Sequence, residues 1–448
     1  MQKKLLKILA VIGGLIVVWL LLFLIFGRPK ADPGKTLEFW SVFDSSEDIQ
    51  PLLDDFTEET GIKVNYRNFT DLNDYRETLL IELAAGEGPD VFVIHNTWLT
   101  KYKNFLRTLP IELGYPLTNV SKDFVSVVGD TLLLKDAAGI EQLFGLPMYV
   151  DSLGLFYNKT YFRNVLTKAY AAPELTWEGV RDDSVGLTQL QPNSSTGFRL
   201  AGIALGRADN ISRGVDIFYN LYHQFGGGDL LAESSSVSNK IVLAALDFLT
   251  SFSRNPLNQE YSWNTNITVD LPQQEISAFV HGRVAMILGF SYYYDQIKAS
   301  LGVGDNSITL DEVGVAPLPQ IGDPLLGNAK VAVADFFTLA VAKSSASPVE
   351  AWRLILELTS REAEEKYFQA TKKPTSRRDL IDSERADPAV GVFVDQAVYA
   401  DTLELAADTV FDSAIASVLN RISDGTLTPA AGASELTEIF KNPLVKSE

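Results

Sequence analysis

The chain contains no cysteine. Disulfides, thiolate metal sites, a cysteine nucleophile and an N-terminal lipidated cysteine are all excluded. Histidine is scarce as well. His95, His223 and His281 are the only three in 448 residues, and no pair has a metal-binding spacing such as HExxH. Neither a zinc enzyme nor any other metal site is therefore expected, and no motif calls for a cofactor. Basic residues are in deficit, with 38 Lys and Arg against 57 Asp and Glu and a net charge of −19. Nucleic acid and anionic membrane surfaces both need a basic face, so neither is expected as a partner. A neutral small molecule remains compatible with that balance.

Long apolar runs are absent except at the start. Lys3, Lys4 and Lys7 precede Ile8 to Phe26, 19 residues without a charge. At 1.5 Å per residue such a helix spans about 28 Å, close to a hydrocarbon core of about 30 Å. A signal peptide is the competing reading, but its apolar region is usually about 7–15 residues and ends in small residues. Here the run ends in Phe-Gly-Arg-Pro-Lys-Ala. An uncleaved membrane anchor over residues 1–27 is expected, followed by a polar Pro/Gly linker over 28–35. Arg28, Lys30 and Lys35 follow the span, so charge alone leaves the orientation tied.

After the linker the pattern becomes that of a globular protein, with 46% apolar and 21% charged residues overall. TLEFWSVF (Thr36–Phe43) reads as a strand. Ser46 can cap a helix whose apolar stripe is Ile49, Leu52, Leu53 and Phe56, the i, i+3, i+4, i+7 pattern of an amphipathic helix. Asp54, Asp55, Glu58 and Glu59 form its solvated face. Ile62, Val64 and Tyr66 alternate in the next strand, a helix runs from Leu72 to Ala85, and GEGPD leads into VFVI. This strand–helix rhythm implies right-handed crossovers and a mostly parallel sheet, with ligands bound outside the carboxyl ends of the strands. Two such ends are rich in polar and aromatic groups: Trp40-Ser41-Val42-Phe43-Asp44 and His95-Asn96-Thr97-Trp98. Further along, residues 201–225 read as largely helical, and Lys240 to Phe252 as a helix. FVHGRVAMILG is a turn feeding a buried strand that ends in Ser291-Tyr292-Tyr293-Tyr294. The last fifty residues read as mainly helical.

In order along the chain, LEFWSVF…DIQPLLDDFTEETGIKV, YRETLLIELAAGEGPDVFVIHN, LFGLPMYVDSLGLFYNKTYF, FVHGRVAMILGFS, VGVAPLP and LELTSREAEEKYFQATKKPTSRRDL together resemble the extracellular solute-binding proteins of ABC importers. The resemblance is to the carbohydrate-binding class that includes maltose-binding protein, and it covers residues 35–448. It implies an α/β fold of two lobes, the periplasmic-binding-protein-like fold of type II, with a ligand cleft between them. Lobe 1 would comprise residues 35–146 and 338–382, and lobe 2 residues 147–337 and 383–448. The family's location implies a domain on the extracytoplasmic face, amino terminus inside. Three departures bear on the ligand. Gly289-Phe290-Ser291-Tyr292 stands where the family often has Gly-Pro-Ser-Trp. The lipoprotein cysteine is missing. The crossover Val331–Phe337 lacks the usual glycines.

A sugar presents hydroxyl edges and apolar ring faces, so its site needs aromatic plates together with carboxylates and amides. Trp98 fits the plate role or else packs under its own helix; Trp40, in a strand, is either a plate or part of the core. Asp44, Asn96 and Thr97 supply polar groups at strand ends, while His95 can instead cap a turn. The resemblance suggests an acidic ligand contact at Asp151, with a hinge hydrogen bond as the alternative. It also suggests that Tyr292 or Tyr293 replaces the family's tryptophan. Asp335 and Phe336 lie at a crossover. Arg377 either stabilises the hinge through a carboxylate or reaches the ligand. Trp177, Trp263 and Trp352 are assigned to packing. The expected function is capture of a sugar or oligosaccharide for delivery to a permease, with no catalytic residue. A membrane-anchored glycoside hydrolase using two carboxylates, or a sensory ectodomain for the same solutes, are the alternatives.

Overall fold

The computed structural model describes residues 34–136, 138–230, 237–267, 274–301, 308–403 and 408–442. The expected membrane segment falls outside the described residues, among which no helix is long and apolar enough to cross a membrane.

The chain opens with β1 (Thr36–Val42), α1 (Ser46–Thr60), β2 (Lys63–Phe69), α2 (Leu72–Ala85) and β3 (Val91–His95). Ile49, Leu52, Leu53 and Phe56 are the buried face of α1. Its cap is Ser45, one residue before the expected Ser46. The Ser45 hydroxyl accepts from the Asp48 amide, and Gly61 closes the helix at φ 75°, a left-handed conformation open to glycine. Asp71 caps α2 through the Asn73 and Asp74 amides. Both strand pairs, β1 with β2 and β1 with β3, are parallel.

The sheet grows by antiparallel additions. A strand returning from far along the chain, Phe337–Ala342, pairs antiparallel with β3, and with β4 (Leu106–Arg107) and β5 (Leu146–Pro147). The expected mostly parallel sheet is thus a mixed one, because its centre is filled by a segment that re-enters from the other lobe. Gly145 stands against that returning strand; a Cβ there would lie 2.4 Å from the Leu339 carbonyl oxygen.

Beyond β5 the chain enters the second lobe through β6 (Asp151–Ser152) and β7 (Gly154–Asn158). Residues 201–213 are irregular rather than helical. Gly206 there has φ 100°, and a Cβ on it would lie 2.2 Å from the Ser253 hydroxyl. The helix proper is α3 (Gly214–Gln224), followed by α4 (Asn239–Ser251). β8 (Met286–Gly289) and β9 (Val313–Pro317) flank β7 in an antiparallel sheet. β10 (Ala332–Asp335) then leads back to β11 (Phe337–Ala342). After α5 (Pro348–Leu358) and α6 (Arg361–Thr371), helices α7 (Gly391–Ala397), α8 (Asp408–Ser423) and α9 (Pro429–Lys441) finish the described chain.

Two hydrophobic cores result. One gathers Leu37, Phe39, Val91, Ile94 and Trp352; the other gathers Phe156, Trp177, Ile217, Trp263 and Phe411. Trp177, Trp263 and Trp352 are each fully buried, and each indole N–H has an acceptor at 2.9 Å. Three backbone segments run side by side between the cores. Asp335 pairs with Asp151 in β10–β6, and Tyr149 bridges Thr375. A single hydrogen-bonded ribbon therefore joins the lobes.

Candidate functional site

A cavity of about 200 Å³ lies where the two cores face each other. The first lobe contributes Leu72 and Arg76 from α2 and His95, Thr97 and Trp98 from the end of β3. The crossover contributes Val333, Ala334 and Asp335. The second lobe contributes Arg213, Asp216, Tyr219 and Asn220 from the start of α3, with Phe290, Leu403 and Asp412. A larger depression of about 510 Å³, between Gln191 and Arg283, is walled by the second lobe alone. The interlobe cavity is the better candidate because both lobes and the crossover converge on it.

The polar end of β3 is built around the crossover. His95 caps the short 3-10 turn Asn96–Trp98. Its Nδ1 lies 2.8 Å from the Thr97 hydroxyl and its Nε2 3.1 Å from Asp335 Oδ2. Asn96 is buried and clasps the crossover itself: its Nδ2 donates to the Ala334 carbonyl at 3.2 Å, and its Oδ1 accepts from the Phe336 amide at 3.3 Å. Trp98 is only 4% exposed. It stacks on Tyr102 with centroids 6.0 Å apart, meets Phe337 edge-on, and carries the Arg76 guanidinium 4.7 Å above its ring. Trp98 is thus a wall that is also packing.

On the facing side, Arg213 Nη1 lies 3.5 Å from Asp216 Oδ2, and its guanidinium lies 5.7 Å from the Phe290 ring. Tyr219 donates to Asp412 at 2.8 Å. Asn220 accepts from the Val333 amide, tying α3 to the crossover. Two of the three cavity carboxylates, Asp216 and Asp335, are shifted in opposite directions. Burial pushes Asp216 up despite Arg213. Burial acts on Asp335 too, but His95, Arg213 and Lys373 outweigh it and hold Asp335 below the ordinary range. Burial opposes the charge on Arg213, yet Asp216, with Tyr292, Tyr293 and Asp335, keeps it firmly protonated.

The other expected site residues are not among those that line this cavity. Asp151 is buried and accepts from Ser291 Oγ at 2.7 Å and from the Ser291 and Ser152 amides, while burial raises it to about 7. Asp44 accepts from Lys373 Nζ at 2.6 Å and from the Tyr367 hydroxyl at 2.9 Å. Trp40 lies beneath the Arg67 guanidinium, 4.6 Å from its ring, and beside Phe69. Tyr292 is partly exposed beside Phe290. Tyr293 and Phe336 are fully buried. The Tyr293 hydroxyl donates to Glu275, and its ring fits against Gly289, where a Cβ would lie 2.1 Å away. Arg377 holds Asp379 and the Thr359 carbonyl and covers Phe124. None of these seven lines the cavity, so the expectation that they contact the ligand there is not met by this geometry.

Arg76, Arg213, Asp216, Tyr219 and Asp412 went unnoticed in the sequence. None of them sits at a strand end: Arg76, Asp216, Tyr219 and Asp412 lie on helices, and Arg213 immediately precedes α3. The available signal was Arg213 and Asp216, three apart at the start of an otherwise apolar helix.

Two α/β lobes, a ribbon of crossings and a polar cavity between the lobes define a two-lobed solute-binding fold. The chain belongs to the bacterial extracellular solute-binding proteins, whose family model matches residues 52–392. A search of curated proteins gave no match. Among solved structures, it is similar to the sugar-binding protein MalE of Xanthomonas citri, with TM-score 0.73 and 20% identity over 92% of this chain and 98% of that one. It is also similar to the maltose-binding periplasmic protein MalE of Listeria monocytogenes in complex with maltose, with TM-score 0.70 and 16% identity over 93% and 100%. A third is an ABC transporter solute-binding protein of Thermotoga lettingae bound with α-D-tagatose, with TM-score 0.68 and 22% identity over 91% and 99%.

Proposed function

We propose that this chain binds a sugar or oligosaccharide in the interlobe cavity, without chemical turnover, and hands it to the permease of an ABC importer. One observation carries the reading: rings and hydrogen-bonding groups from both lobes, Trp98, Thr97 and His95 facing Arg213, Asp216 and Phe290, line one cavity. Such a mixture suits a solute with apolar ring faces and hydroxyl edges. The sugars bound by the similar solved proteins point the same way. The domain division expected from the sequence, residues 35–146 with 338–382 and 147–337 with 383–448, is retained as part of this reading. Residues 1–27 act as an uncleaved anchor that holds the lobes on the extracytoplasmic face.

A thermal-shift screen against mono- and oligosaccharides tests the solute class. A sugar present at about 100 times its Kd adds roughly 2.7 kcal/mol to stability. No stabilisation by any sugar, or release of a cleaved product, would overturn the reading. Intact mass of protein recovered from host membranes tests the anchor. Retention of Met1 to Lys30 is expected, apart from loss of Met1; a mature start near Asp32 counts against it.

A further inference from the structure

Phe43 closes β1 with φ 71°, a left-handed conformation that a bulky L-residue adopts only under strain. Phe43 is 55% exposed, so burial does little to offset that strain. The backbone is held on both sides. The Phe43 amide donates to the Phe69 carbonyl at 3.0 Å, and the next residue is fixed by Tyr66, which donates to the Asp44 carbonyl, and by Lys373 on the Asp44 carboxylate. Glycine would take this conformation without strain. An exposed aromatic ring at a strained position therefore serves something other than the fold.

Its surroundings indicate what. The Phe43 ring meets Phe337 edge-on at 6.2 Å, and Phe337 meets His95 at 5.2 Å and Trp98 at 5.9 Å, both of which line the cavity. A continuous aromatic wall thus leads from the cavity out to Phe43. The cavity, at about 200 Å³, is smaller than the usual small-molecule site of about 300–1,000 Å³. A solute of two or more sugar rings would extend along this wall to its outer end.

We propose that Phe43 is a stacking platform for a sugar ring lying outside the cavity, which makes the solute an oligosaccharide. This rests on the sugar-binding reading above. The test uses the full-length chain and the mono-, di- and tetrasaccharide series of glucose, galactose, mannose and xylose, with affinities from calorimetry. Wild type binds the tetrasaccharide of one series at least tenfold more tightly than its monosaccharide. Phe43→Ala lowers that ratio at least tenfold, and Phe43→Trp restores it. Without sugar, Phe43→Gly melts no lower than wild type. An equal affinity for all chain lengths, a ratio unmoved by Phe43→Ala, or a marked loss of Tm in Phe43→Gly would overturn the platform while leaving sugar binding intact. Failure of wild type to bind any member of any series would end the sugar reading and the platform together.

Discussion

His95 Nε2 lies 3.1 Å from Asp335 Oδ2, joining the end of a first-lobe strand to the segment that crosses between lobes. Arg213 of the second lobe acts on the same carboxylate. A group whose folded-state pKa is depressed contributes stability above its unfolded pKa, near 3.9, and loses it as pH falls through the folded value. Asp335→Asn is therefore expected to destabilise the protein at pH 6, and the gap from wild type should close as pH falls below about 4. Urea denaturation at pH 6 and pH 3 measures it. An equal gap at both values would show that the charge is not what holds the crossover.

Asn96 makes a sharper structural prediction. Its side chain satisfies both the Ala334 carbonyl and the Phe336 amide in a buried setting. Asn96→Ala leaves those groups without their partner, at about 1–3 kcal/mol each. The urea midpoint should drop with an unchanged slope. Undiminished stability together with lost saccharide affinity would instead make Asn96 a ligand contact.

Trp98 combines both roles. Because it packs on Tyr102 and Phe337, Trp98→Ala should cost about 3–5 kcal/mol of stability. Trp98→Phe keeps an aromatic wall and should fold nearly as well while binding saccharide more weakly. Circular dichroism melts beside calorimetry separate the two effects.

The contrast between Asn96 and Arg213 shows what was legible in the sequence. Strand ends of the opening β–α–β–α–β run were readable because apolar periodicity fixes where strands stop and which helix face is buried; Ile49, Leu52, Leu53 and Phe56 all point inward. Periodicity carries no information about what sits opposite. Arg213 and Asp216 line the cavity from the amino-terminal end of α3, whereas residues 201–225 read as largely helical throughout and so gave no sign of where the helix begins. Likewise Tyr292 and Tyr293 are adjacent in sequence, yet only packing against Gly289 and Glu275 determines that Tyr293 turns into the core.

Glu384 supports a pH prediction of opposite sign. Burial raises its carboxyl to about 8, although the Thr375 amide donates to it, with Glu365 adding to the rise. A raised acid pKa means that the folded state holds a proton the unfolded state releases, so stability falls as pH rises from the unfolded value toward about 8. Glu384→Gln removes that proton equilibrium. Its stability relative to wild type should therefore improve between pH 5 and pH 8, read from denaturation midpoints across that window. A constant offset would place the titration elsewhere.

Motion provides the last prediction. The three crossings are hydrogen-bonded neighbours, Asp335 with Asp151 and Tyr149 with Thr375, so they can bend as one hinge. A solute shifts the balance between open and closed forms only by its differential affinity for them. A saccharide that touches the His95–Trp98 wall and Arg213 together gains contacts only when the lobes approach, whereas one resting on a single lobe gains none. Small-angle scattering of the chain from Lys35 onward, with and without a saccharide whose saturation is shown by calorimetry, should therefore give a smaller radius of gyration in the bound state. Arg213→Ala removes one side of the bridge. It should weaken affinity by tenfold or more, and at matched saturation it should reduce the compaction. An unchanged radius in wild type at proven saturation would mean that the cavity fills without closure, and delivery by hinge motion would have to be abandoned.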